Sequence, residues 1–356
     1  MVIRTRLVAW IMAMACGGEM AFAAAEGLVG RLMMVRVPVA SLWTTSRPPV
    51  PPYPQEPLQE LLPSFLFRPG TPEYDEAERV AMPHSTQLLE GDPVRIISEE
   101  NDMYHVEVPY QLHFYRQDGA IEGSWGPICG WVAKKYLMGA DLGSIYRSYG
   151  TPGEYVRKTG GDEMRLRRAL VDYVVGFLGD PYCWGGVSKY DKNNKGVPTS
   201  VDCSGLVYLA FRNVLHSLKN SAVNYGLVVP RNSGSQWLAA TTIKREELLP
   251  GDLIFSRRRK EDGGRIEHVL MYLGFNKDGE EELVEAEGRD TRSVRIIKVA
   301  EACKRFGAAW ESLNEGTVIF AGDPERERKL HFSTFFPPPG SKETKVAADF
   351  RAHYGY

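Results

Sequence analysis

The hydrophobic period of this chain changes once, near residue 163, and that change limits the folds open to it. Upstream, apolar and polar residues alternate and turn residues recur. "GLVGRLMMVRVPVASLW" (27–43) reads as a strand leading into a loop, and "STQLLEGDPVRIISEENDMYHVEVP" (85–109) as short antiparallel strands. "CGWVAKKYL" (129–137) closes this unit. Alternation is the mark of half-buried strands, and several short ones separated by turns predict a small β-barrel. Downstream the spacing is helical. "EMRLRRALVDYVVGFLG" (163–179) predicts a helix ending at Gly179, "PYCWGG" (181–186) a glycine turn, and "CSGLVYLAFRNVL" (203–215) a mostly buried helix. Strands are then expected at 251–256, 268–274, 282–288 and 293–299. Helices followed by a strand meander make an α+β domain.

The expected organisation follows. Residues 1–23 read as a signal peptide, with a basic start ("MVIRTR"), an apolar stretch and the small-residue site "AFA". Export to the periplasm or the medium is therefore expected. Lipid anchoring through Cys16 is the alternative, although the usual leucine three residues before it is absent. Residues 24–140 form the β-barrel domain, with a proline-rich insertion over 46–72. A linker over 141–162 precedes the α+β domain at 163–322, and 323–356 is expected to be a poorly ordered tail. Net charge is −2, so no overall field draws the chain to nucleic acid, and the run "SRRRK" (256–260) reads as a solvated loop. Its five cysteines show neither a metal-ligand spacing nor a disulfide framework. No metal or cofactor is expected, and no feature argues against a monomer.

Cys203 poses the chemical question. It opens a helix, where the positive end of the helix dipole favours a negative sulfur, and Gly205 permits a tight turn or a close approach of another segment. A small buried residue would explain the same position. A nucleophile needs a base within reach. His84, His105 and His113 fall in the β unit, His331 and His353 in the tail, and His216 at the far end of the Cys203 helix. His268 begins an apolar strand, where it either reaches a neighbouring helix terminus or caps the strand end. Glu285 shares a strand face with Leu283. There it either orients a base or lies exposed on an edge strand.

The motifs "DPYCWGG", "VDCSGLVYLAF", "VPRNSGSQ", "LLPGDLIFS" and "HVLMYLG" occur in that order. Together they resemble the NlpC-type (NlpC/P60) cell-wall cysteine peptidases over about residues 165–322. "VPVASLW", "TQLLEGDPVRI" and "GWVAKKYL" resemble the bacterial SH3-like domain that often precedes them. The resemblance implies a papain-like catalytic domain after a small SH3-like barrel, with Cys203 as nucleophile and His268 as base. The family's third position, usually His, Asn or Gln, falls on Glu285, and the insert "KYDKNNKGVPTS" (189–200) is a second departure. Tyr182 corresponds to a tyrosine beside the nucleophile. Asp202, Ser204, Trp184 and Ser233 correspond to positions lining the substrate cleft. Asp202 either holds the free amine of an N-terminal L-alanine or caps the helix, and Tyr182 is also explained as a core tyrosine. Cys183 reads as packing. The implied substrate is the peptidoglycan stem peptide, cut between γ-D-glutamate and diaminopimelate or lysine. The alternatives are an N-acetylmuramoyl-L-alanine amidase, another cysteine amidase, or a non-catalytic wall-binding protein.

Overall fold

In the computed structural model the early alternation becomes an antiparallel sheet. The structure describes residues 28–48, 84–116, 123–140, 147–148, 150–194, 197–217, 225–258, 266–288, 291–306, 318–319, 328–338, 340–342 and 344–353. The signal segment, Cys16 and residues 49–72 of the proline-rich stretch lie outside these.

Strands β1 (Leu32–Val35), β2 (Val39–Trp43), β3 (His84–Leu89), β4 (Pro93–Glu100), β5 (Met103–Arg116), β6 (Gly123–Ala133) and β7 (Leu137–Gly139) pair in the order β3-β2-β6-β5-β4-β1-β7. The segment 27–43, expected as one strand and a loop, supplies two strands. In β4, Val94 and Ile96 are buried while the Arg95 side chain is exposed. They pack with Val35, Leu42, Val106 and Val132 in one apolar core.

Past a short parallel pair, β8 (Arg147–Ser148) with β9 (Tyr225–Gly226), the second unit is built on another antiparallel sheet. It contains β10 (Thr241–Thr242), β11 (Leu253–Arg258), β12 (Ile266–Phe275), β13 (Glu281–Glu287), β14 (Ser293–Lys298), β15 (Val318–Ile319) and β16 (Arg328–Thr334). The order is β10-β16-β11-β12-β13-β14, with β15 beside β16. Six α-helices occur among the described residues: α1 (Pro152–Thr159), α2 (Glu163–Val175), α3 (Cys203–Ser217), α4 (Ser233–Ala239), α5 (Val299–Phe306) and α6 (Lys345–His353).

Both faces of this sheet are covered. Leu166 and Leu170 of α2 and Leu206 and Phe211 of α3 pack on Phe255, Val269 and Val284. Ile254, Leu270, Leu283 and Phe332 pack with Ala302 and Cys303 of α5 on the other side. That two-sided burial explains the near-continuous apolar runs in β11 and β12.

Two expectations are corrected. The segment read as a linker contains α1, which Thr151 and Glu154 start with a reciprocal capping box. The tail read as poorly ordered supplies β16, between β10 and β11, with Leu330 and Phe332 buried. It also supplies α6, whose Phe350 ring lies 4.7 Å from that of Trp125.

Polar links join the two units. The buried pair Asp92–Arg212 closes at 2.6 Å, and the Val187 N–H donates to Gln87 Oε1 at 2.9 Å. Phe114 N–H donates to Ser235 Oγ at 3.0 Å, and Trp125 Nε1 to the Val346 carbonyl at 2.8 Å. Leu112, Phe114, Trp125, Val228 and Phe350 form an apolar cluster at the same boundary. Strand β3 is thereby fixed against the end of the glycine turn and β5 against α4.

Candidate functional site

Cys203 is the first residue of α3 and is half-buried. Asp202 precedes it and caps the helix, its Oδ1 accepting from the N–H of Gly205 and from Ser204 Oγ. The place of Gly205 needs glycine, since a Cβ there would drive into the carbonyl oxygen of Gly186. The close approach expected at Gly205 is therefore with the glycine turn, whose Gly186 carbonyl also accepts from the N–H of Asp202 at 3.2 Å.

His268 lies on β12 and Glu285 on β13, an interior strand between β12 and β14. The edge-strand explanation of Glu285 therefore fails. Its side chain is 0% exposed, and its Oε2 lies 2.8 Å from His268 Nε2. The Cys203 side chain also lies within interaction range of the imidazole and raises its proton affinity, so His268 links the sulfur to the carboxylate. Burial pulls the His268 pKa down, but its interactions with Cys203 and Glu285 outweigh it and carry the value up to about 9. Such an imidazole holds its proton at neutral pH and can share it with the sulfur.

Tyr182 sits beside this line. Burial, and then the nearby Cys203 sulfur, push its hydroxyl well above the ordinary tyrosine range, so it stays a neutral donor. Its ring packs on Gly288, where an added Cβ would come within 2.9 Å of two ring carbons. Trp184 is 42% exposed on the glycine turn, and Ser233 opens α4 half-buried. Gln236 of α4 donates to the Ser204 carbonyl at 2.9 Å, docking α4 on the first turn of α3.

The capping reading of Asp202 fits this arrangement, whereas the amine-binding reading meets a carboxylate with both oxygens engaged. Arg231 donates to Asp202 Oδ1 at 3.1 Å and to Oδ2 at 2.8 Å, and Oδ2 also accepts from the Gly185 N–H at 2.9 Å. Arg231 further donates to Ser204 Oγ at 3.0 Å and to Thr86 Oγ1 on β3 at 2.8 Å. Ser204 thus belongs to this buried network. Cys183 is buried, which pushes its thiol up to about 12. That agrees with packing.

Three contributors went unassigned in the sequence. Arg231 was legible in principle: a cation after "LVVP" is either exposed or buried with a partner. Arg295, directly opposite Glu285 on β14, donates from Nε at 3.1 Å and from Nη2 at 2.9 Å to Glu285 Oε1. His84, set aside as an ordinary residue of the β unit, has Nδ1 2.9 Å from the Trp184 carbonyl. Burial lowers its pKa to about 4. His331, expected in the tail, lies in the second sheet with its ring 5.0 Å from that of Trp237. Among the described residues no group of three or more His, Cys, Asp or Glu could hold a metal ion.

Known proteins resemble this chain over parts of its length. Residues 179–311 match the model of the NlpC/P60 family. A γ-D-glutamyl-L-lysine dipeptidyl-peptidase of Bacillus cereus is 32% identical over 98 residues, 28% of this chain and 23% of that protein. One of the same name from Bacillus subtilis is 24% identical over 288 residues, 67% of this chain and 86% of the relative. The peptidoglycan endopeptidase RipB of Mycobacterium tuberculosis is 36% identical over 116 residues, 30% and 41% of the two chains. The match thus spans less than half of the Bacillus cereus protein and of RipB. Cys203, His268 and Glu285 all fall inside the matched region, and this chain carries an NlpC/P60 family domain at residues 179–311.

Proposed function

We propose that this protein is a thiol peptidase that hydrolyses peptides of the bacterial cell wall. The observation that carries the reading is His268, hydrogen-bonded to a buried carboxylate and within interaction range of Cys203 at a helix start. In this reading the Cys203 sulfur attacks the scissile carbonyl and forms a tetrahedral intermediate. The N–H of Cys203, at the positive end of α3, and the neutral Tyr182 hydroxyl stabilise its oxyanion. The C–N bond breaks as His268 gives its proton to the leaving amine. His268 then takes a proton from water, whose oxygen displaces the thiolate and releases the acid. Glu285 fixes the ring and supports its positive charge.

The bond proposed is that between γ-D-glutamate and diaminopimelate or lysine in a stem peptide. The names of the Bacillus relatives and of RipB support this substrate class. Export of the chain, monomeric action and an SH3-like character of the first sheet belong to the same proposal. Trp184 and Ser233 are offered as cleft-lining residues.

A defined stem tetrapeptide, with products weighed by mass spectrometry, tests the reading. The expected result is cleavage after γ-D-glutamate that is lost in Cys203→Ala. With the same peptide attached to N-acetylmuramic acid, release of the intact stem peptide would mean an amidase. Turnover unchanged in Cys203→Ala would remove the thiol mechanism.

A further inference from the structure

Glu285 brings a full negative charge into the sheet interior beside the proposed base. Wherever the proton sits between sulfur and imidazole, these two groups and the carboxylate carry a net charge of −1, and an isolated buried charge is costly. Unopposed, the carboxylate would also hold the imidazolium proton tightly, and His268 must release that proton in each turnover. The structure supplies a counter-charge. Arg295 faces Glu285 across β13 and β14 and donates two hydrogen bonds to Oε1, leaving Oε2 to His268. The two carboxylate oxygens are thus divided between the guanidinium and the imidazole. The Arg295 side chain is 23% exposed, so the cation keeps some hydration while its fork reaches a fully buried partner.

We infer that Arg295 is a positioning residue: it sets the charge that Glu285 presents to His268, so that the pair acts as one neutral acceptor that orients the ring without trapping its proton. The inference rests on the roles proposed above for Cys203 and His268. The charged and titratable groups facing the ring are Cys203 from α3 and Glu285 from β13, with Arg295 of β14 behind Glu285 and Tyr182 beside the sulfur. Of these only Arg295 carries a positive charge, the sign that lowers the proton affinity of a nearby imidazole. Removing it should raise that affinity, and removing only the carboxylate should lower it.

The test is the pH titration of His268 in the full chain, read by NMR of labelled histidine and assigned with His268→Gln. Arg295→Met should move the His268 midpoint up by about one pH unit, as loss of an opposing charge does at this range. Its kcat near neutral pH should fall by roughly tenfold, the factor corresponding to that shift. Glu285→Gln should move the midpoint down. The double variant Glu285→Gln/Arg295→Met, with a neutral pair restored, should lie closer to the native midpoint than either single variant. Arg295→Lys, which keeps the charge, should stay near native, and it carries the test with the double variant if Arg295→Met does not fold. A midpoint unmoved or lowered in Arg295→Met, or a double variant no closer to the native midpoint than Glu285→Gln alone, would overturn the inference. The titration needs no substrate. Loss of the proposed peptidase reading through Cys203→Ala turnover would thus be seen separately.

Discussion

The Cys203 side and the His268 side of the site each contain an arginine clamped on a carboxylate, and the two pairs serve different ends. Asp202–Arg231 lies beneath the start of α3, with both side chains nearly buried. Every oxygen of that carboxylate serves a backbone N–H, a serine hydroxyl or the guanidinium. Glu285–Arg295 has the same chemistry, but one carboxylate oxygen is given to His268. A pair closed on itself fixes a helix start. A pair with one oxygen turned to a titrating ring sets a proton affinity. What distinguishes them is the third group each carboxylate touches.

The largest effect that would break this comparison is expected at Arg231. Arg231→Met leaves Asp202 buried without its counter-charge, which costs about 3–5 kcal/mol by the usual magnitude for a broken buried pair. Urea unfolding should show the loss. If Arg231→Met is as stable as the native chain, the closed pair is not structural. Thr86→Val removes one neutral partner of the same guanidinium across the unit boundary. It should cost about 1.5–3 kcal/mol, the range for hydrogen bonds to a charged group, in the same measurement. Gly288→Ala should lower kcat more than stability, because its methyl displaces the Tyr182 ring. Equal kcat in the two proteins would separate Tyr182 from the chemistry.

The pH dependence of stability sharpens the contrast most gently. His268 is held above its ordinary value of 6.5, at about 9. Its contribution is fully present below pH 6.5 and is lost as pH rises through about 9. His84 is held down at about 4. Its contribution is present above pH 6.5 and fades as pH falls through about 4. Melting temperature should therefore decline on both flanks. Glu285→Gln should flatten the alkaline flank alone, as differential scanning calorimetry would read.

Much of the second unit was legible because its signals are local. The α2 start at Asp162, the apolar run of α3 and the alternation of β13 depend on neighbours within a few residues. Cys203, His268 and Glu285 were singled out on such signals, and the fold brings them together. The partners that complete the site were not legible, because each is a long-range pairing. Arg231 meets Thr86 only through docking of the two units, and Arg295 meets Glu285 only through strand register. Strand β16 was hidden for another reason. "RKLHFST" is short and begins and ends polar, and nothing local reveals that His331 and Ser333 are buried as well as Leu330 and Phe332.

The position of β16 has a consequence for how the molecule comes to exist. Strand β11 pairs with β12 on one flank and with β16 on the other, yet β16 comes some seventy residues later along the chain. While the polypeptide is being made, β11 therefore presents an open row of amide and carbonyl groups, the kind of edge on which chains associate wrongly. Assembly of the scaffold that aligns sulfur and imidazole must wait for that late segment, so trimming the chain at residue 322 would leave the sheet unfinished and adhesive rather than merely shorter.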